Sequence, residues 1–153
     1  MNDPFDQPMA IDAAVQIAFS HHQLGRLNEA EAIYRQVLAA HPHHPEALHH
    51  LGLIAHQLGN NTLAQELIEN AIQVNPKNPA CYGNLGRVLQ EQGRVDEAIN
   101  HYQYAIQLLP NYAAAYSNLG LAWQEQSQLD EAISCYQRAI ALKPDFAEAH
   151  SNL

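Results

Sequence analysis

The sequence predicts an all-α protein, a solenoid of antiparallel helix hairpins. Three observations predict it. The chain repeats itself every 34 residues without insertion or deletion. A turn-forming residue and a proline recur at fixed places in every repeat, so each repeat is cut into two helical stretches. Small residues recur where the two helices of a hairpin must approach one another.

The repeats are 11–44, 45–78, 79–112 and 113–146, and a fifth begins at Ala147 and runs to Leu153. Residues 1–10 stand outside the frame as an N-terminal extension, with Phe5 and Met9 placed to cover the first repeat. The closing words "AEAHSNL" echo "AAAYSNL" at 113–119. Repeat position 32 is always proline: Pro42, Pro76, Pro110 and Pro144. Position 20 is always alanine: Ala30, Ala64, Ala98 and Ala132.

Within each repeat, helix A is expected over positions 2–14. It ends at position 15, occupied by Gly25, Gly59, Gly93 and Ser127, because a left-handed residue closes a helix and glycine adopts it without penalty. Helix B is expected to start near position 18 with Asn28, Thr62, Asp96 and Asp130, all of types that cap helix N-termini. Glu31 follows Asn28, and Gln65 follows Thr62, at capping-box spacing. Helix B stops near position 30, because the proline at 32 cannot continue it. Ala18, Gly52, Gly86 and Gly120 at position 8 face Ala at position 20, so the hairpin can close tightly. Val37, Ala71, Ala105 and Ala139 at position 27 receive the next helix A. Tyr34, Ile68, Tyr102 and Tyr136 at position 24 fill the core. One hairpin cannot bury its apolar surface alone, and stacking buries it.

Composition narrows the function. The chain has 153 residues, 47% of them hydrophobic, which suits a folded domain. Seven Lys and Arg against a net charge of −9 leave no footprint for a phosphate backbone or an anionic bilayer, so neither nucleic acid nor membrane is an expected partner. Cys81 and Cys135 have no CxxC spacing and are expected as reduced, largely buried thiols. The start "MNDPFDQPMA" has no basic flank or apolar run of the kind that opens a signal peptide, and no stretch approaches a membrane span. A cytoplasmic location is expected.

The stretch "AYSNLGLAWQEQSQLDEAISCYQRAIALKPDF" resembles a tetratricopeptide repeat through Tyr116, Leu119, Gly120, Trp123, Ala132, Tyr136 and Pro144. Tyr82, Leu85, Gly86, Ala98, Tyr102 and Pro110 carry the same resemblance in repeat 3. Repeat 1 departs from it with Ala14, Ala18 and His21. The resemblance implies a right-handed solenoid whose A helices line a concave face, and a protein or extended peptide as partner.

On that implication the inner positions are 2, 5, 6, 9, 12 and 13. The candidate binding residues are His49, His50, Leu53 and His56 in repeat 2, and Asn84, Arg87 and Gln90 in repeat 3. Asn118, Leu121 and Gln124 follow in repeat 4, with Asn152 in the fifth. A carboxamide offers both a donor and an acceptor, so Asn84, Asn118 and Asn152 can pair with successive peptide units. This ladder resembles the repeat region of O-linked N-acetylglucosamine transferases and SPINDLY-like proteins. Gln16 and His50 interrupt it in repeats 1 and 2. The cations with which some repeats of this type clamp a chaperone's carboxylates are absent: Asp12, Val15, Ala80 and Asn84 stand at such positions.

Of ten histidines, His41, His43, His44, His49, His50 and His56 crowd repeat 2. His22, His49 and His56 fall on related faces, yet no cysteine or carboxylate accompanies them at metal-site spacing, so no metal or cofactor is expected. A pH-dependent surface is expected instead. No nucleophile elbow or phosphate loop is present, so no catalytic residue is assigned. The chain stops inside a helix A, as a piece of a longer protein would. Apolar ends near Ala139 and near Val15 and Phe19 are therefore expected to associate end to end between copies. The function these observations favour is a peptide-binding scaffold, and the alternative is the substrate-recognition arm of a protein O-glycosyltransferase.

Overall fold

The structure, a computed structural model, describes residues 8–153. Phe5 and the side chain of Met9, expected to cover the first repeat, lie outside the described residues. Among the described residues all regular structure is helical, in the order α1 Pro8–Gln23, α2 Leu27–Ala40, α3 Pro45–Gln57, α4 Asn61–Val74, α5 Pro79–Glu91, α6 Val95–Leu108, α7 Ala113–Glu125, α8 Leu129–Leu142 and α9 Ala147–Asn152. The chain divides into two compact units, one ending at Pro76 and the other beginning at Lys77.

The first unit holds two hairpins, α1 with α2 and α3 with α4, with α3 packed on both helices of the first. Its core joins Val15 and Ala18 of α1, Tyr34 and Val37 of α2, and Leu51 and Ile54 of α3. The second unit holds α5 with α6 and α7 with α8, and α9 closes on α7 and α8. There Leu85, Tyr102, Ala105, Leu119 and Tyr136 are buried.

The turn inside each hairpin forms as expected. Gly25, Gly59 and Gly93 have φ of 73°, 80° and 79°, and Ser127 joins them at 60°. Each turn carries a pair of bonds that satisfies the last carbonyls of helix A. In repeat 2, Gly59 N donates to His56 O at 3.0 Å and Asn60 N to Ala55 O at 2.8 Å. Helix A runs one position earlier than expected, because Pro45 and Pro79 take its first turn, where a missing N–H costs nothing. The first helix begins earlier still, at Pro8, inside the stretch read as an extension.

Helix B also starts early, and its expected caps are corrected. Arg26, Asn60, Arg94 and Gln128 at position 16 take the N-cap, and Asn28, Thr62, Asp96 and Asp130 lie in the first turn. The reason is the turn itself: the N–H of position 16 is spent on helix A, and the chain enters helix B at the next residue. Only Asn60 caps with its side chain, its Oδ1 accepting from Leu63 N at 3.2 Å. No capping box forms. Glu31 pairs with Arg35 at 2.8 Å, and Gln65 Nε2 donates to Glu69 Oε1 at 2.9 Å.

The position-8 glycines are required by packing. A Cβ on Gly86 would lie 2.5 Å from Tyr102 Cε1, and one on Gly120 2.6 Å from Tyr136 Cε1. In repeat 2 the neighbour is Ile68, whose Cγ1 would be 2.7 Å from a Cβ on Gly52. Position 27 is closed in all four repeats, including Ala139 at 0% exposure. Val15 is buried too, and Phe19 is half-buried. Ala139 is thus buried in the unit that α9 closes, and Val15 in the core shared with α2 and α3, while Phe19 keeps part of its ring exposed. Cys81 and Cys135 are unbridged, and burial pushes both thiols up to about 11.

Candidate functional site

Neighbouring A helices within each unit leave a hollow between them, and the two hollows use the same repeat positions. In the first unit α1 and α3 enclose about 320 Å³ lined by Phe19, His22, Gln23, His50, Leu53 and Gln57. In the second, α5 and α7 enclose about 220 Å³ lined by Arg87, Gln90, Glu91, Asn118, Leu121 and Glu125, with Tyr102 at its floor. Positions 9, 12 and 13 of one A helix thus meet positions 6, 9 and 13 of the next.

The candidate residues divide accordingly. His50, Leu53, Arg87, Gln90, Asn118 and Leu121 line the two hollows. His49 lies in neither lining and is buried, at 6% exposure. Position 5 is buried elsewhere too, at Val15 and Ser117 with 2% and 1% exposure. His56 and Asn84 are half-buried on α3 and α5, outside these linings. Asn152 is half-buried on the six-residue α9. Gln124 is exposed, and its Oε1 accepts from the Tyr136 hydroxyl at 3.0 Å.

Gln90 shows the same pairing with Tyr102, at 2.8 Å, and its Nε2 donates to Glu125 at 2.6 Å. One amide therefore ties helix A to its own helix B and to the next A helix. His22 makes the corresponding link in the first unit, its Nε2 lying 2.9 Å from Gln57 Oε1. Tyr102 was not among the candidates. The signal for it was present, since glutamine at position 12 accompanies tyrosine at position 24 in repeats 3 and 4 alone.

The two hollows differ in charge. The second holds one guanidinium, of Arg87, against the carboxylates of Glu91 and Glu125. The Asn118 amide on its wall makes no hydrogen bond to another described residue, so both its donor and its acceptor are open. The first hollow is aromatic and holds no Lys, Arg, Asp or Glu. His50 stacks on Tyr34 at 5.8 Å and on His49 at 5.3 Å, with Phe19 tilted against it at 5.3 Å. Burial, then the charge of His22, lower the His50 pKa, and Glu46 opposes them. Burial pushes His49 down to about 4, with His50 adding to the shift. Among the described residues no three His, Cys, Asp or Glu side chains are grouped as a metal requires. No helix among them is long and apolar enough to cross a membrane.

Comparison with known proteins places these features. A family model described as TPR repeat matches residues 86–127, and one described as tetratricopeptide repeat matches 113–146. The model of anaphase-promoting complex, cyclosome, subunit 3 matches 23–105, more than half of the chain. No curated protein matches the chain. Among solved structures, MamA is 29% identical, with 89% of this chain and 80% of that one covered at a TM-score of 0.78. The Thermobaculum terrenum O-GlcNAc transferase is 27% identical at a TM-score of 0.85, over 92% of this chain but only 27% of its own. YrrB, a TPR protein with an unusual peptide-binding site, shares the fold at 21% identity and a TM-score of 0.79, with 93% of this chain and 73% of that one covered. The three models run without a break from residue 23 to residue 146, over the hairpins whose turns and glycines are described above, and the chain belongs to the tetratricopeptide-repeat family.

Proposed function

We propose that this chain is a protein-interaction scaffold that holds an extended peptide segment along its A helices. The observation that carries the reading is Asn118. Its unbonded amide stands on the wall of an open hollow beside Arg87, where it can pair with a peptide N–H and C=O together. Asn84 and Asn152 occupy the same repeat position. The match to a subunit of a multiprotein complex supports a role exercised through protein contacts.

The test begins with dodecapeptides selected on the intact chain from a random displayed library. Asn84→Ala combined with Asn118→Ala should weaken the selected peptides roughly five- to tenfold, as loss of one or two hydrogen bonds implies. Helicity by circular dichroism should not change. Equal affinity of the double variant would assign these asparagines to packing alone.

A second reading has its own support. The likeness to the Thermobaculum terrenum transferase covers nearly all of this chain and about a quarter of that one. On this reading the chain is the substrate-recognition arm of a protein O-glycosyltransferase. A reading frame that runs on from Leu153 into a glycosyltransferase domain would decide for it, and one that runs into other sequence would decide against it.

A further inference from the structure

Arg87 breaks the repeat pattern. Position 9 of the other full repeats is apolar, with Phe19, Leu53 and Leu121, and Arg87 is the sole Lys or Arg on any A helix among the described residues. It is exposed and makes no hydrogen bond or ion pair with another described residue, although Glu91 and Glu125 line the same hollow. Glu125 accepts from Gln90 instead, at 2.6 Å. The hollow thus presents a guanidinium whose donors are unused.

A second open group stands one turn away. Position 34 precedes the next A helix, and His44 and Asn78 use their side chains to cap it, accepting from Ala47 N at 3.2 Å and Ala80 N at 3.1 Å. Tyr112 does not cap α7. Its ring lies across Gly83 of α5, whose missing side chain makes the room: a Cβ there would be 3.3 Å from the hydroxyl and 3.4 Å from Cε1. Gly83 and Arg87 stand at i, i+4 and share a face of α5. The Tyr112 hydroxyl has no hydrogen-bond partner among the described residues, and on this half-buried residue it is not sealed. Burial raises its pKa and the charge of Arg87 opposes the rise, so the group is an O–H donor within reach of that charge.

We propose that Arg87 and Tyr112 form a site for the side-chain carboxylate of an aspartate or glutamate in a bound peptide, beside the backbone position offered by Asn118. The inference rests on the peptide-scaffold reading and names one residue of the ligand.

The donors select a single carboxylate. A guanidinium forks onto two carboxylate oxygens, and a phenol O–H adds a further donor. A ligand lysine or arginine would meet the like charge of Arg87, while Glu125 is already tied to Gln90. A phosphate dianion is disfavoured by Glu91 and Glu125 on the wall and by the net charge of −9. On the scaffold reading the backbone runs on past Asn118, so the carboxylate comes from a side chain and not from the chain end.

The experiment titrates the intact chain at low salt with acetylated, amidated pentapeptides, Gly-Ala-Xaa-Ala-Gly with Xaa glutamate, glutamine or lysine, and with the glutamine peptide carrying a free C-terminus. Amide and guanidinium NMR signals report binding. The glutamate peptide should bind about fivefold tighter than the amidated glutamine peptide, as one charge pair implies, with shifts centred on Arg87, Tyr112 and Asn118. The lysine peptide should bind weakest. Raising the salt to about 0.3 M should shrink the preference. Arg87→Gln should erase it, and Tyr112→Phe should reduce it about twofold. Arg87 is exposed and phenylalanine keeps the ring of Tyr112, so both variants should retain the parent's circular dichroism. Equal binding of the glutamate and glutamine peptides would overturn the site, as would a preference that survives Arg87→Gln or stands undiminished in Tyr112→Phe. Tighter binding of the lysine peptide would overturn it too. A free C-terminus that gains as much as the glutamate side chain would move the carboxylate to a chain end and overturn the assignment. In each of these cases, shifts at Asn118 would leave the scaffold reading standing. No shift with any peptide would sink both.

Discussion

The ring of Tyr102 occupies the place where a side chain on Gly86 would be. A Cβ built there would meet Cε1 at 2.5 Å, Cδ1 at 2.8 Å and Cζ at 2.9 Å. The ring cannot retreat, because Tyr102 is fully buried and its hydroxyl is tied to Gln90. Gly86→Ala should therefore destabilise the fold by about 1–3 kcal/mol, despite alanine's better helix propensity. Urea denaturation of the variant measures it. An unchanged midpoint would mean that the ring has room to move.

Ser127 marks a different constraint at the next turn type. It holds φ of 60° where the other three repeats place glycine. The left-handed region costs a residue with a Cβ about 1 kcal/mol. Ser127→Gly should raise stability by about that amount, and Gly93→Ala should lower it similarly. A Cβ at Gly93 meets nothing within 4 Å, so the second effect isolates backbone strain from packing. Opposite shifts of the two melting temperatures are the expected result. A loss of stability in Ser127→Gly would show that the side chain contributes more than its conformation costs.

These two cases explain how much could be read from the sequence. Gly93, Pro110 and Ala98 announce themselves because backbone geometry or close approach admits few alternatives, and a period makes each constraint visible four times. The N-caps were misplaced for the converse reason. Asn28, Thr62, Asp96 and Asp130 have the right chemistry, but the preceding turn fixes where helix B begins, whatever residue stands there. Of the candidate site, positions 6, 9 and 12 were legible as a face, and His50, Arg87, Gln90 and Asn118 do share hollows. His49 is buried although imidazole is polar by type. Its equivalents Val15, Gly83 and Ser117 are small or apolar, which was the available sign that position 5 turns inward.

Gln90 joins three helices, so its loss should be felt through Tyr102. Gln90→Leu leaves the Tyr102 hydroxyl buried without an acceptor, at a cost of about 1–3 kcal/mol. Tyr102→Phe alone should cost less. In the double variant neither polar group remains, and most of the loss should be recovered. A double-mutant cycle by chemical denaturation measures the coupling. Strict additivity would show that the hydroxyl finds water instead.

The last prediction concerns acid. His49 is buried and neutral, with its pKa pushed down to about 4 from an ordinary 6.5. The sign follows from where protons bind. Above pH 6.5 neither the folded nor the unfolded chain protonates this ring, and stability is independent of it. Between 6.5 and 4 the unfolded chain takes up a proton that the folded chain refuses, so stability falls as pH falls. At pH 5 that loss is about 2 kcal/mol for His49 alone. His50 is shifted in the same direction and adds to it. Carboxylates titrate over part of this range as well, so the informative quantity is a difference between two proteins. His49→Val, which installs the residue of repeat 1, should lose less stability than the parent between pH 7 and pH 5. Parallel urea midpoints across that range would show that His49 is protonated in the fold, and hence that it is not sealed from water. A difference that moves in the variant's favour as pH falls from 7 to 5 would trace that part of the acid sensitivity of the first unit to the buried His49 imidazole.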